Sequence, residues 1–381
     1  MTKKFIILFF FLIVFKTLNA QYQTEVVTYG DIKVKKSYLK KLLRELNGEK
    51  EKKQNFKMNY VFTPHYSSKY KLGLGAIANG VYSTNLKDSL LPLSNVSLSG
   101  SITTTGSYFL SIGGNNFFKG GSQRLNYELF FASLPTNFWG LGYYNAMKDE
   151  NKSSYTLKNL EGHVEYTFEV LKNFYLGPHI GYTHIKGSNF SNSNLINGKH
   201  NIANYFNYGA VLNYDSRDFV YNPESGIYAL AKQLNYVYNS SKPFFSTILQ
   251  FNFYKSLGKG TIFASDVYSQ FKYGDVPWLM LSSFDGINRM RGYYQGRFLD
   301  NNILTTQIEI RQHIWNVIGV VGWVGCGNIW GEYSNFGWNK TLPNFGLGIR
   351  IRVNGGVNMR LDWGCGKNMQ NGFVFSINEA F

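Results

Sequence analysis

The amino-acid sequence predicts an all-β protein, a transmembrane antiparallel β-barrel of about sixteen strands. Apolar and polar residues alternate with a period of two through most of the chain, which is the pattern of strands with one apolar face. Charged residues make up only 16% of the composition and aromatic residues 17%, as expected for a lipid-facing surface with aromatic girdles. The N-terminus also has the features of a secretory signal.

Residues 1–20 form the predicted signal peptide. Two lysines precede an apolar run, and Ala20 ends the segment. Lys16 interrupts the far end of the apolar run, which argues against a permanent membrane-spanning helix. No later run approaches the roughly 20 apolar residues of such a helix. A secreted chain of this kind can still enter an outer membrane as a barrel, and we expect a bacterial outer-membrane location.

Residues 21–56 are polar and basic and are predicted to form a short periplasmic segment. Leucines recur at helical spacing within it, and lysines and an arginine occupy the other faces. One interpretation is an amphipathic helix that lies on the membrane or plugs the barrel. The other is a solvated linker, because an isolated helix of this length is barely stable. The segment is too short for a typical domain of about 50 residues or more.

Residues 57–381 carry the strand patterns and are predicted to form the barrel. Polar loops and tight turns alternate between them, as in outer-membrane barrels. A soluble β-sandwich or propeller would instead present polar outer faces, whereas here the smaller polar side must face inward. The predicted strands lie near 57–66, 70–84, 93–104, 107–118, 121–134, 154–170, 174–187, 201–216, 226–239, 243–257, 261–273, 301–314, 316–328, 343–353, 356–366 and 372–381.

The sequence contains no motif for catalysis, a cofactor or a metal, and we expect no enzymatic activity and no bound cofactor. His179 and His184 differ in parity along one strand, so they cannot bind one metal from the same face. The net charge is +16, but the basic residues are scattered rather than clustered, which does not favour nucleic-acid binding. Cys326 and Cys365 lie on apolar, lipid-directed faces of separate strands and are predicted to be free thiols.

Residues 274–300 link the eleventh and twelfth predicted strands and are the candidate functional segment. They contain arginines, whose planar forks suit buried carboxylates, and glycines, which permit unusual backbone conformations. The following strand places Gln307, Glu309 and Arg311 on one face, interpreted as the lumen. We therefore expect Arg291 to enter the lumen and to pair with Glu309. The alternative is a solvated loop on the surface.

The loop and several other motifs resemble the BamA/TamA family of bacterial outer-membrane assembly barrels. The other motifs are Asp215-Ser216-Arg217-Asp218, Asn222-Pro223-x-x-Gly226, Gln307-x-Glu309 and Leu361-Asp362-Trp363-Gly364. The resemblance covers residues 57–381 and implies that the loop folds into the barrel and is anchored to lumen groups of the following strands. It implicates Arg291, Gly292, Tyr293, Gly296 and Arg297 in the loop, and Gln307, Glu309 and Asp362 on the wall.

Two departures from the family pattern bear on function. Residues 21–56 cannot hold even one of the periplasmic POTRA repeats that usually capture client chains. Gly325 stands where the family often has an aspartate, so that either Glu309 serves the loop arginine alone or Asp362 helps.

The C-terminal strand has aromatic and aliphatic residues on one face, namely Phe373, Phe375, Ile377 and Phe381. This pattern resembles the terminal aromatic strand by which barrel-assembly machinery recognises its clients. An ordinary lipid-facing strand would show the same pattern. Glu379 departs from the apolar face.

Two functional hypotheses follow. In the first, the barrel helps to insert or move client polypeptides at the outer membrane through a seam between its first and last strands, where a client strand pairs with the exposed edge. In the second, it is a closed structural or pore-forming barrel that its own loop plugs. The expected partners are outer-membrane lipid and either client polypeptides or a periplasmic partner protein that supplies the missing capture domain.

Overall fold

The computed structural model describes residues 56–67, 71–87, 91–192, 194–196, 198–220, 222–238, 241–332, 335–353 and 357–381. The predicted signal peptide and residues 21–55 of the predicted basic segment lie outside the described residues. Of the helices in these ranges, none has the length and apolar character needed to cross a membrane.

Sixteen strands form one antiparallel sheet in which each strand pairs with the next along the chain, which confirms the predicted fold class. They are β1 (Lys57–Ser67), β2 (Lys71–Tyr82), β3 (Ser94–Thr103), β4 (Tyr108–Phe118), β5 (Gln123–Phe138), β6 (Ser153–Leu171), β7 (Phe174–Ser188), β8 (Ile202–Asp215), β9 (Gly226–Tyr238), β10 (Ser241–Gly258), β11 (Thr261–Gly274), β12 (Asn302–Trp315), β13 (Ile318–Trp330), β14 (Leu342–Val353), β15 (Val357–Gly366) and β16 (Asn371–Ile377).

The helical elements are short and lie in the connections. One α-helical turn, α1 (Gly142–Ala146), follows β5. The 3-10 turns are Lys119–Gly121, Asp149–Asn151, Asn194–Ile196, Trp278–Met280, Trp338–Lys340 and Lys367–Met369. Within the loop between β11 and β12, Ser282–Ser283 pairs with Leu299–Asp300 as a short antiparallel ladder.

The two faces of the sheet differ in the way that the sequence alternation predicts. On β7, Leu176 and Ile180 are exposed, whereas Tyr175, His179 and Thr183 are buried. This alternation places apolar side chains outside, toward lipid, and polar side chains inside. Exposed apolar side chains on other strands include Phe62, Leu129, Phe206, Ile308, Val324, Leu347 and Phe373.

The first and last strands are the two edges of the sheet. They come within 8 Å of each other, Cα to Cα. They differ in length, because β1 has 11 residues and β16 has 7. After Ile377 the chain leaves the wall, and Asn378 adopts a left-handed conformation with φ of 70°. The two edges therefore meet over a shorter length than β1 offers.

Candidate functional site

The guanidinium of Arg291 is the centre of the candidate site, and its side chain is fully buried. It donates to Asp362 Oδ2 at 2.8 Å and to Gln307 Oε1 at 3.2 Å, and it also binds the carboxylate of Glu309. Glu309 and Gln307 belong to β12 and Asp362 to β15, so one loop side chain spans two wall strands. Of the two alternatives left open by the sequence, the structure shows that Asp362 joins Glu309.

An aromatic ring and an amide hold the same arginine from its other sides. The guanidinium carbon of Arg291 lies 3.6 Å from the centroid of the Trp323 ring. The Trp323 indole N–H donates to Asn344 Oδ1 at 2.9 Å, and Asn344 Nδ2 donates to the carbonyl of Arg291. The arginine is thus fixed through both its side chain and its backbone. Neither Trp323 nor Asn344 was identified from the sequence, although both belong to strands that contact the loop.

Gly292 allows the loop backbone to approach the wall. Its φ of 98° is a conformation that other residues rarely adopt, and a Cβ there would lie 2.3 Å from the carbonyl oxygen of Gly364. A Cβ on Gly364 would in turn lie 2.2 Å from the carbonyl oxygen of Arg291. The contact therefore requires glycine on both the loop and β15.

The segment before Arg291 forms a tight turn. Asp285 Oδ1 accepts hydrogen bonds from the backbone amides of Ile287, Asn288 and Arg289, each at 2.9 Å. The Arg289 side chain then forms two hydrogen bonds with Asp266 of β11, at 2.7 and 2.8 Å. From β15, Arg360 donates to the carbonyl of Ile287 at 3.1 Å. These contacts attach the loop to the wall on a second side.

Tyr293 anchors the outgoing half of the loop. Its hydroxyl donates to the Pro343 carbonyl at 2.6 Å and accepts from the backbone amide of Lys367 at 2.7 Å. The ring packs with Phe284 and Phe298 in an apolar cluster. Burial raises the pKa of the Tyr293 hydroxyl to about 12, so that the hydroxyl stays protonated and remains a donor.

Arg297 contacts a different part of the chain from the lumen groups to which it was assigned. Arg297 donates to the Ala146 carbonyl at 2.8 Å and pairs with Asp149 at 2.8 Å. Both partners follow β5, so Arg297 ties the loop to a neighbouring connection rather than to the wall strands. Gly296 has a φ of 82°, and among the described residues no heavy atom beyond its two chain neighbours lies within 4 Å of where a Cβ would be. The expectation that Arg297 anchors the loop to lumen groups of the following strands is therefore wrong, and the same expectation for Gly296 stays a prediction.

The expectation that Phe381 shares a face with Phe373 and Phe375 is also wrong. Phe373 and Phe375 are exposed on the outer face, but the strand ends at Ile377. Phe381 stacks on Tyr254 of β10 with ring centroids 6.2 Å apart, and its carbonyl accepts from Arg311 at 3.1 Å. The physical reason is the buried carboxylate of Glu379, which pairs with lumen arginines and draws the tail inward.

A second buried polar cluster lies on β6 to β9. His179 is within 2.7 Å of both Glu165 Oε1 and Asn207 Oδ1, and Lys232 pairs with Glu165. His179 therefore faces the lumen, whereas His184, with opposite parity, bonds Asn204. In the parts of the chain described by the structure, no group of three or more His, Cys, Asp or Glu side chains is placed to bind a metal ion.

Both cysteines are free, as the sequence predicts. Cys365 is fully buried, but its pairing with the exposed Phe345 of β14 places its side chain on the predicted outer face of β15. The loop packs against this part of β15, since a Cβ on Gly292 would lie 3.0 Å from the Cys365 nitrogen. Cys326 on β13 is partly exposed.

The geometry described so far holds a loop inside a β-barrel through buried ion pairs. Residues 94–381 match the Omp85 superfamily domain. The chain belongs to the Omp85 superfamily. This membership and the barrel fold place the protein in the bacterial outer membrane, as predicted, among barrels that assemble or translocate proteins.

Solved structures of similar fold include outer-membrane barrels of low sequence identity. BamA from Haemophilus ducreyi lacking POTRA domains 1–3 matches at 16% identity with a TM-score of 0.58, covering 85% of this chain and 70% of that one. CdiB from Acinetobacter baumannii matches at 13% identity with a TM-score of 0.54, covering 94% and 72%. CdiB from Escherichia coli matches at 11% identity with a TM-score of 0.56, covering 84% and 61%. No curated protein sequence matches the chain significantly.

Proposed function

We propose that this Omp85 barrel helps to insert or move client polypeptides at the outer membrane through a lateral seam between β1 and β16. The observation that carries the proposal is the mismatch of the two edge strands. β1 has 11 residues and β16 has 7, and the chain turns inward after Ile377. Part of the β1 edge is therefore without a partner from β16, and unpaired strand edges favour pairing with another chain.

The anchoring of the loop supports the same function. Its tip binds β12 through Glu309, β14 through Asn344 and β15 through Asp362. These three contacts thus lie on the β16 side of the seam, and none of them involves β1. A seam whose β16 side is held by the loop and whose β1 side is less constrained suits stepwise pairing of β1 with an incoming strand.

A photo-crosslinking experiment tests client contact. A benzophenone amino acid replaces Tyr60 on β1, whose side chain is 67% exposed, and the matched control replaces Ile180 on β7, which is 66% exposed. We expect crosslinks to newly made outer-membrane polypeptides from position 60 and not from position 180. Equal crosslinking at both positions, or none at position 60, contradicts the proposal.

The second candidate is a closed structural or pore-forming barrel plugged by its own loop. The burial of Arg291 favours it, because a loop arginine with no solvent exposure holds a plug firmly in place. The candidates differ in their need for a partner. Isolation of the native complex from membranes should recover client chains or a periplasmic partner protein under the first and neither under the second.

A further inference from the structure

Six buried charged groups form a closed ring in the lumen, with positive and negative charges alternating. In order they are Arg291, Glu309, Arg311, Glu379, Arg350 and Asp362, which returns to Arg291. The N···O separations are 3.0 Å for Arg311–Glu309, 3.7 Å for Arg311–Glu379, 2.8 Å for Arg350–Glu379, 2.5 Å for Arg350–Asp362 and 2.8 Å for Arg291–Asp362.

The ring joins segments that are distant in sequence. Arg291 comes from the loop, and Glu379 comes from the tail that follows β16. The other four members project from β12, β14 and β15. Within the ring each carboxylate therefore lies between two arginines and each arginine between two carboxylates, and Asp362 also pairs with Arg360 at 3.1 Å. Removal of any one member leaves two like-charged neighbours without their shared partner, and an unpaired buried charge is costly.

The tail has further contacts that depend on the position of Glu379. Asn358 of β15 donates to Glu379 Oε1 at 2.6 Å, and its carbonyl accepts the backbone amide of Asn378 at 2.7 Å. The guanidinium carbon of Arg311 lies 5.1 Å from the Phe381 ring centroid. These contacts hold residues 378–381 inside the barrel and keep them out of the wall next to β1.

We propose that this ring couples the loop to the tail, so that docking of Arg291 stabilises the inward position of Glu379 and displacement of either one loosens the other. The loop thereby controls how much of the chain after β16 is free to extend along the seam. This consequence at the seam rests on the proposed function, whereas the coupling itself does not. Coupling of this kind is reciprocal, because each group changes the free energy of the other by the same amount.

Thiol labelling of the purified barrel tests the coupling in both directions. With both native cysteines replaced by serine, Met290→Cys reports loop displacement, because residue 290 is a buried loop residue next to Arg291. In the same background, Ala380→Cys reports tail displacement. We expect Glu379→Gln to raise the maleimide labelling rate of residue 290, and Arg291→Gln to raise that of residue 380, each about fivefold or more.

Glu165→Gln is the matched control, because it neutralises a buried, paired carboxylate outside the ring and should leave both rates unchanged. Retention of the fast-migrating band on cold electrophoresis verifies that each variant is folded. If Glu379→Gln does not fold, Glu379→Asp replaces it, with an expected labelling rate at residue 290 between the wild-type value and the Arg291→Gln value.

The coupling is overturned if Glu379 substitution frees residue 380 while residue 290 labels at the wild-type rate, or if Arg291→Gln frees the loop without affecting residue 380. Wild-type rates at both reporters in every ring variant overturn it as well. No client is present in this assay. If the coupling fails but position 60 crosslinks to client polypeptides, the proposed function therefore stands. If the coupling holds but position 60 does not crosslink, the coupling stands and the proposed function fails.

Discussion

The indole ring of Trp323 lies against the guanidinium of Arg291, with 3.6 Å between the ring centroid and the guanidinium carbon. The same indole donates to Asn344, which binds the Arg291 carbonyl. Trp323 therefore supports the loop arginine both directly and through a second residue. The contact extends the anchoring of the loop from β12 and β15 to β13 and β14.

Trp323→Leu should loosen the loop. Loss of a desolvated cation–π contact costs on the order of 1–2 kcal/mol, and Asn344 also loses a donor. We expect faster proteolysis within residues 285–297 of the folded barrel. Trp363→Leu is the control, because Trp363 follows Asp362 on the opposite face of β15. Equal effects of the two substitutions would show that the stacking does not hold the loop.

Arg291→Ala should weaken the loop more than Glu309→Ala does. The arginine has two carboxylate partners, so the loss of Glu309 leaves Asp362 in place. Breaking a buried pair costs about 3–5 kcal/mol, and a wet lumen lowers this value. Ion conductance across a planar bilayer should rise in the order wild type, Glu309→Ala, Arg291→Ala.

The double variant Arg291→Ala/Glu309→Ala distinguishes partnership from independent effects. Two residues that act on each other give a combined loss smaller than the sum of the single losses. The measurement is the free-energy change derived from loop proteolysis rates. Simple additivity would mean that the loop is held in some other way.

Gly292→Ala should displace the loop, whereas Gly296→Ala should have a smaller effect. Both glycines have positive φ, and each alanine therefore carries a backbone cost of about 1–2 kcal/mol. Only at Gly292 would the new methyl group also meet backbone, at 2.3 Å from Gly364. Labelling of a Met290→Cys reporter in the buried part of the loop should accelerate only in Gly292→Ala. Matching rates in the two variants would rule out the close approach.

The fold was predictable from the sequence because alternation is local. Successive side chains of a strand point to opposite faces of the sheet, so the face on which each side chain of a barrel strand lies follows from its neighbours. The pattern therefore gave sixteen strands with bounds close to those observed. The same parity places Glu309 and Asp362 in the lumen, where the structure brings both to Arg291. The functional role of these residues remains a prediction.

Contacts between distant segments were not predictable in this way. Parity indicates that Trp323, Asn344 and Arg350 face inward, but not which loop residue each one meets. Arg297 was misplaced because its partner Asp149 lies in another connection. Phe381 was misplaced because continued alternation was assumed beyond Ile377. Glu379 was the available signal, since a carboxylate on an apolar face indicates that the strand has ended.

Cys326 and Cys365 should react differently with a maleimide in detergent. Cys326 is partly exposed, whereas Cys365 is fully buried. We expect Cys326 to be modified in the folded barrel and Cys365 only after denaturation, with no bridge between them by mass spectrometry. Preferential modification of Cys365 in the folded wild type would contradict this packing.

The docked tail should be released by acid. Burial alone would raise the pKa of Glu379, but the nearby Arg311 and Arg350 guanidiniums outweigh it and hold that pKa below its ordinary value of 4.5. A lowered pKa in the folded state means that the carboxylate stabilises docking fully above about pH 4.5, and that this contribution is lost as the pH falls through the folded-state pKa. Hydrogen exchange of the C-terminal peptide, corrected for the intrinsic pH dependence, should therefore stay slow near neutrality and accelerate in acid. In Glu379→Gln the C-terminal peptide should exchange quickly over the whole pH range. If this variant instead shows the wild-type dependence of exchange on pH, another carboxylate of the ring causes the transition.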